Sequence, residues 1–140
     1  MSSISLSAKT ESAKAEPAVR ETAFEPAALQ ALLAELSPQQ VLSLARSYQE
    51  AVEEIFHRLD KAAQDANFDA IRFEAHDLID AAGHFGALHL NVLAIELAEA
   101  CEIEAAAETI MLMKAMRCSA ESAWNAIQAY LAPLEAIGTF

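Results

Sequence analysis

From Pro38 onward, apolar side chains return every three or four residues, with charged groups between them, in four successive stretches. The first carries Val41, Leu44, Ala45, Tyr48, Val52, Ile55, Leu59 and Ala62 on one face and Arg46, Glu50, Glu53 and Lys61 on the other. That spacing is the period of an α-helix with one buried stripe. Asp65 to Asn67 breaks the pattern and supplies a cap. A second helix then places Phe68, Ile71, Ala75, Leu78 and Ala82 on one face and runs into Gly83 to Gly86. The third, from about Leu88, turns Leu90, Leu93, Ala94, Leu97 and Cys101 inward and Glu96, Glu99 and Glu102 outward. After Glu104 to Glu108, a fourth helix is expected to bury Ile110, Met113, Met116, Ala120, Ala123, Trp124, Ile127 and Leu131, with Pro133 and Gly138 ending regular structure.

Ahead of these, Leu29, Leu32, Leu33 and Leu36 form a short stripe closed by Ser37-Pro38, a natural N-cap followed by a natural first helical residue. The spacing predicts an all-α protein, an antiparallel up-and-down four-helix bundle with a short extra N-terminal helix across one end. Residues 26–140 make up the bundle. Residues 1–25, polar and punctuated by Pro17 and Pro26, read as a flexible N-terminal segment.

Composition narrows what such a bundle does. With 6% aromatics, three glycines and four prolines, the chain has too few turn residues for a many-stranded fold. Twenty-one acidic residues against nine basic ones leave a formal charge of −12, which repels phosphate backbones and anionic lipid heads. Neither nucleic acid nor a membrane surface is an expected partner. No apolar run approaches the roughly 20 residues that span a bilayer, and Met1 to Glu25 has no apolar secretory core, so a cytoplasmic location is expected. Cys101 and Cys118 stand singly and read as two buried thiols. A complete four-helix core makes a monomer the simpler expectation.

Helical bundles often hold paired metals on two Glu-x-x-His motifs from separate helices. Glu54-Ile55-Phe56-His57 has that spacing, but Phe73 stands where His76 would need its glutamate. Phosphate-cradling, serine-hydrolase and zinc-protease motifs are also missing. No metal and no cofactor is expected on this chain.

His76 breaks the plain bundle pattern. The helical period sets it on the flank of the second helix, between core and solvent, while His57, His84 and His89 read as ordinary polar positions. Arg72 lies one turn before it, Asp80 one turn after, and Gly83 two turns along on nearly the same line. Glycine inside a helix costs about 0.5–1 kcal/mol relative to alanine. In a chain that uses alanine freely, Gly83 suggests that something comes close to the helix surface beside His76.

Ala75-His76-Asp77-Leu78, followed by Ala81-Ala82-Gly83-His84-Phe85-Gly86-Ala87-Leu88, resembles the phosphoacceptor helix of histidine-containing phosphotransfer (HPt) domains. Asn67-Phe68-Asp69-Ala70-Ile71 before it, the leucine-rich helix after it and the preceding long helix fit as well, over roughly residues 27–132. The resemblance implies a phosphorelay carrier rather than an enzyme, with His76 as phosphoacceptor. A histidine kinase or a response-regulator receiver domain would donate the phosphoryl group and another receiver would take it. Mg²⁺ belongs to the partner receiver in that scheme. Arg72, Phe73, Ile79, Asp80 and Gly83 form the expected docking neighbourhood, with Phe73 and Ile79 as exposed apolar contacts. Phe73, as an isolated apolar residue, equally fits under a neighbouring helix.

The sequence departs from the family pattern where a lysine and a glycine usually follow the histidine by three and four residues. Ile79 and Asp80 stand there instead, and no Lys or Arg occurs between Phe73 and Met113. Arg72 is expected to stand in for the missing cation. Asp80 is expected either to orient the imidazole or to stand solvated and oppose the phosphorylated state. The alternative reading is a degenerate HPt-like module that binds receivers or kinases without carrying phosphate. A kinase dimerisation bundle is disfavoured by the lack of a following ATP-binding domain and of a proline soon after His76. A purely structural bundle would bury His76 under a neighbouring helix.

Overall fold

The computed structural model describes residues 24–138, so residues 1–23 of the N-terminal segment lie outside it. Five helices follow one another: α1 (Pro26–Glu35), α2 (Pro38–Gln64), α3 (Phe68–His84), α4 (Leu88–Glu102) and α5 (Ala106–Gly138). The four longer ones pack as an up-and-down bundle in which α3 and α4 are the most closely apposed pair, and α1 packs on α2. Among the described residues, no helix is long and apolar enough to cross a membrane.

Local chemistry sets the helix starts. The Ser37 hydroxyl accepts from the Gln40 amide at 3.2 Å while the Gln40 side chain accepts from the Ser37 amide at 2.9 Å, a reciprocal capping box ahead of α2. Asn67 Oδ1 accepts from the Ala70 amide at 3.0 Å and starts α3.

All three turns between the bundle helices share one construction. A residue with positive φ (Ala66 at 50°, Gly86 at 74°, Glu104 at 52°) is followed by an amide that donates to a carbonyl five residues back. These bonds run from Asn67 to Ala62 (2.9 Å), from Ala87 to Ala82 (2.9 Å) and from Ala105 to Ala100 (3.0 Å). This is the Schellman ending, for which glycine is the usual left-handed residue. Only the middle turn uses it, because there a second contact adds a second demand. The Glu25 amide donates to the Gly86 carbonyl at 2.6 Å, and a Cβ on Gly86 would collide with the Glu25 carbonyl oxygen. The segment leading into α1 is thereby clamped to the α3–α4 turn.

The core runs through Leu29, Val41, Leu59, Ile71, Leu78, Leu90, Leu97, Met116 and Ile127, all fully buried. Tyr48 stacks on Phe85 with ring centroids 4.7 Å apart and tilts against Trp124 at 6.3 Å. Burial pushes the Tyr48 hydroxyl pKa up to about 12. On the seam between α2 and α5, Arg117 pairs with Asp60 and lies 5.0 Å over the Phe56 ring, beside a hollow of about 290 Å³ walled by Val52, Phe56, Ala120 and Trp124.

Four expectations change. Ile110 is 57% exposed, because the buried line of α5 starts at Thr109 before running as expected through Met116, Ala123, Ile127 and Leu131. Met113, Ala120 and Trp124 are only half-buried beside it. The same line buries Ser119 and leaves its neighbour Cys118 exposed; only Cys101 is a buried thiol. Leu44 is 40% exposed on the rim of its face. Pro133 does not end α5. The helix continues to Gly138, since a proline one turn from a helix end removes a single backbone hydrogen bond while Leu131 and Leu134 still pack on the core.

Candidate functional site

The outer side of α3 is set by the burial of its opposite side. Ile71, Ala75, Leu78 and Ala82 face the core, so the 100° step of the helix carries His76 outward, where it is exposed. It is not covered by a neighbouring helix. Phe73 lies near it and is 65% exposed, so the packing alternative for that ring does not hold. Arg72, one turn before His76, is half-buried, with its guanidinium 4.0 Å from the Asp69 carboxylate. Burial pushes the Cys101 thiol pKa up, a rise opposed by Thr109 and, to a smaller extent, by the charge of Arg72.

Ile79 differs from expectation. It is half-buried and packs against the core, so it is not a free docking group. Its backbone carbonyl accepts a 2.7 Å hydrogen bond from the Asn91 side chain on α4. Asp80 is exposed, but among the described residues its carboxylate makes no hydrogen bond to His76. It borders an open hollow with Asp77, Glu54 and Arg58 toward α2, and its backbone carbonyl accepts from His84 Nδ1 at 3.0 Å. Orientation of the imidazole by Asp80 is therefore absent from this conformation.

Gly83 is exposed inside α3, and the nearest atom to a Cβ placed there is Asn91 Nδ2 at 3.6 Å, an ordinary contact distance. Internal packing does not require glycine at this position. Gly86 is the contrary case, held by its positive φ and by Glu25. The two glycines of the motif thus have separable reasons: Gly86 answers to the fold and Gly83 does not.

Two elements of the neighbourhood were not legible beforehand. Asn91 ties α4 to α3 below Gly83, and its only signal was a polar side chain between Leu90 and Leu93 of an apolar helix. Arg58 on α2 reaches across to Glu74, a buried carboxylate, with Nε 2.9 Å from Oε1, and lies 3.3 Å from Glu54. The hydrogen bond to Glu74 and the nearby carboxylates raise the Arg58 pKa. Glu54 of the Glu54–His57 spacing is thus paired with Arg58, and among the described residues no group of three or more His, Cys, Asp or Glu side chains could hold a metal ion.

No family model, curated protein or solved structure matches the chain. What the site can do rests on its own geometry: an exposed imidazole on the outer side of α3, a guanidinium one turn away, and a bare stretch of helix surface two turns away.

Proposed function

We propose that this chain is a phosphorelay carrier of the HPt type, with His76 as the phosphoacceptor. The observation that carries the reading is the pairing of an exposed His76 with an exposed Gly83 that no internal contact explains. Omitting a side chain there opens the helix surface to a partner, which is what transfer between two proteins requires.

In the forward step a ring nitrogen of His76 attacks, through its lone pair, the phosphorus of an aspartyl phosphate in line. The N–P bond forms as the bond to the aspartate oxygen breaks, and the carboxylate leaves on the receiver. Such transfers depend mainly on positioning and on charge neutralisation, and the receiver brings its own carboxylates and Mg²⁺ for the latter. This chain supplies a fixed nucleophile, with Arg72 as the nearby positive charge in place of the lysine that Ile79 replaces. Phe73 and the bare surface at Gly83 admit the partner, while Asp80 stands as a solvated carboxylate.

A second reading follows from Ile79 and Asp80: a module that binds receivers or a histidine kinase without carrying phosphate. Incubation with receiver domains charged by acetyl phosphate separates the two. The carrier reading expects acid-labile, alkali-stable phosphate on the chain that is lost in His76→Gln. Binding of receivers without any such phosphate overturns it in favour of the second reading.

A further inference from the structure

The face that carries His76 combines an apolar strip with an excess of negative charge. On α4, Leu88, Val92 and Ile95 recur at helical spacing and are 38%, 47% and 40% exposed. Asn91 lies opposite both Ile79 and Gly83, which fixes the antiparallel register of the two helices. One turn along α4 from Asn91 therefore lies opposite one turn back along α3, so Ile95 comes level with the turn that holds His76. The strip thus borders the imidazole from the α4 side, and Phe73 borders it from the other.

Across the exposed surfaces of α3 and α4 the charge is predominantly negative. Asp69, Asp77 and Asp80 on α3 and Glu96, Glu99 and Glu102 on α4 are all exposed. Arg72 is the single cation in the two helices, and Asp69 already partners it. The other basic group near α3, Arg58, is occupied on the α2 side by Glu74 and Glu54. A phosphoryl group on His76 would add further negative charge to the same face.

We propose that this face selects a receiver domain whose docking surface is apolar at its centre and ringed by lysine and arginine, and that charge attraction sets the rate of encounter. The proposal rests on the carrier reading of His76 and names the chemistry of the partner. Complementary potentials across an interface raise association rates and reject partners of like charge, and both effects weaken as salt screens them. An acidic phosphoacceptor with little positive charge of its own is then suited to its task. The cations that it lacks are carried by the partner and arrive with it.

The test compares two Mg²⁺-loaded receiver domains charged with acetyl phosphate, one with a basic rim around its aspartate and one with an acidic rim. Transfer to the full chain is followed from low to high NaCl. The basic-rimmed receiver is expected to transfer with a kcat/KM at least roughly tenfold higher at low salt, the advantage shrinking as salt is added. Asp80→Asn combined with Glu99→Gln, two exposed substitutions, is expected to slow transfer at low salt and to match the unaltered chain at high salt. Equal rates from the two receivers, or a rate indifferent to salt, overturns the proposal while leaving His76 as the acceptor. No phosphate on His76 from either receiver overturns the carrier reading and this proposal with it.

Discussion

Gly83 and Gly86 lie three residues apart, and replacing each by alanine should move stability in opposite directions. At Gly83 the added methyl meets only Asn91 Nδ2 at 3.6 Å, and the helical backbone accepts alanine without strain. Because Gly83 is the second-last residue of α3, the gain is expected at the low end of the glycine-to-alanine range, about 0.5 kcal/mol. For a domain of this size that corresponds to a rise of about 2 °C in Tm. At Gly86 the backbone is left-handed, at a cost of about 1–2 kcal/mol for any L side chain, and the methyl displaces Glu25. Losing the Glu25–Gly86 hydrogen bond adds about 1 kcal/mol, so the total loss is about 2–3 kcal/mol, or roughly 10 °C. Thermal unfolding followed by circular dichroism gives both values, and phosphotransfer to His76 is measured on the same preparations. Gly83→Ala should be the more stable protein and the slower acceptor. If it unfolds as early as Gly86→Ala, the fold itself demands glycine there and no approaching partner is needed to account for it. If it is more stable and transfers at an unchanged rate, nothing approaches that surface.

Four further outcomes are expected. Arg72→Ala should slow transfer from a charged receiver without removing it, and an unchanged rate would show that Arg72 does not serve the phosphoryl group. Ala66→Gly and Glu104→Gly should each stabilise the chain by about 0.5–1 kcal/mol, since both residues hold left-handed backbone where glycine is unstrained; denaturant titration reads the shift. Arg58→Ala should lower the Tm more than Glu74→Ala, because the first strands a buried carboxylate while the second leaves an arginine that Glu54 and water can still serve. Tyr48 should contribute to alkaline unfolding. Its folded pKa of about 12 stands above the unfolded value of 10.0, so its share of stability is full below pH 10 and lost as pH rises toward 12. The loss approaches about 3 kcal/mol and should be missing from the difference curve of Tyr48→Phe.

Periodicity alone placed the helices, since an apolar residue every third or fourth position leaves little choice of element or inward face. It failed where a stripe had two plausible registers. On α5, Ile110 and Thr109 compete for the same line, and the smaller, more polar residue is the buried one. Pro133 misleads in the same way, because the last turns of a helix lose little by a proline. At the site, the period sets His76 and Arg72 on one flank of α3 between core and solvent; Arg72 is half-buried there, while His76 stands further out and is exposed. The fate of Ile79 and Asp80 does not follow from the period, because it depends on α2 and α4. Asn91 takes the Ile79 carbonyl, and Arg58 with Glu54 and Asp77 borders the hollow beside Asp80. Cross-helix partners of this kind leave no spacing signature in a single sequence.

The three matching turns have a consequence for how the chain assembles. Each brings a helix back against the one just formed, so α2 meets α3, α3 meets α4 and α4 meets α5 with little chain between them. Folds built from such near-neighbour contacts cross the folding barrier in microseconds to milliseconds. The α2–α5 seam is the exception, since Phe56 must find Arg117 and Tyr48 must find Trp124 across the intervening helices. By the same contact-order reasoning that seam is expected to close last and, with a hollow of about 290 Å³ along it, to open first. Amides of α2 and α5 should then exchange with solvent sooner than those of α3 and α4. The helix that bears His76 would keep its shape while the far side of the bundle breathes.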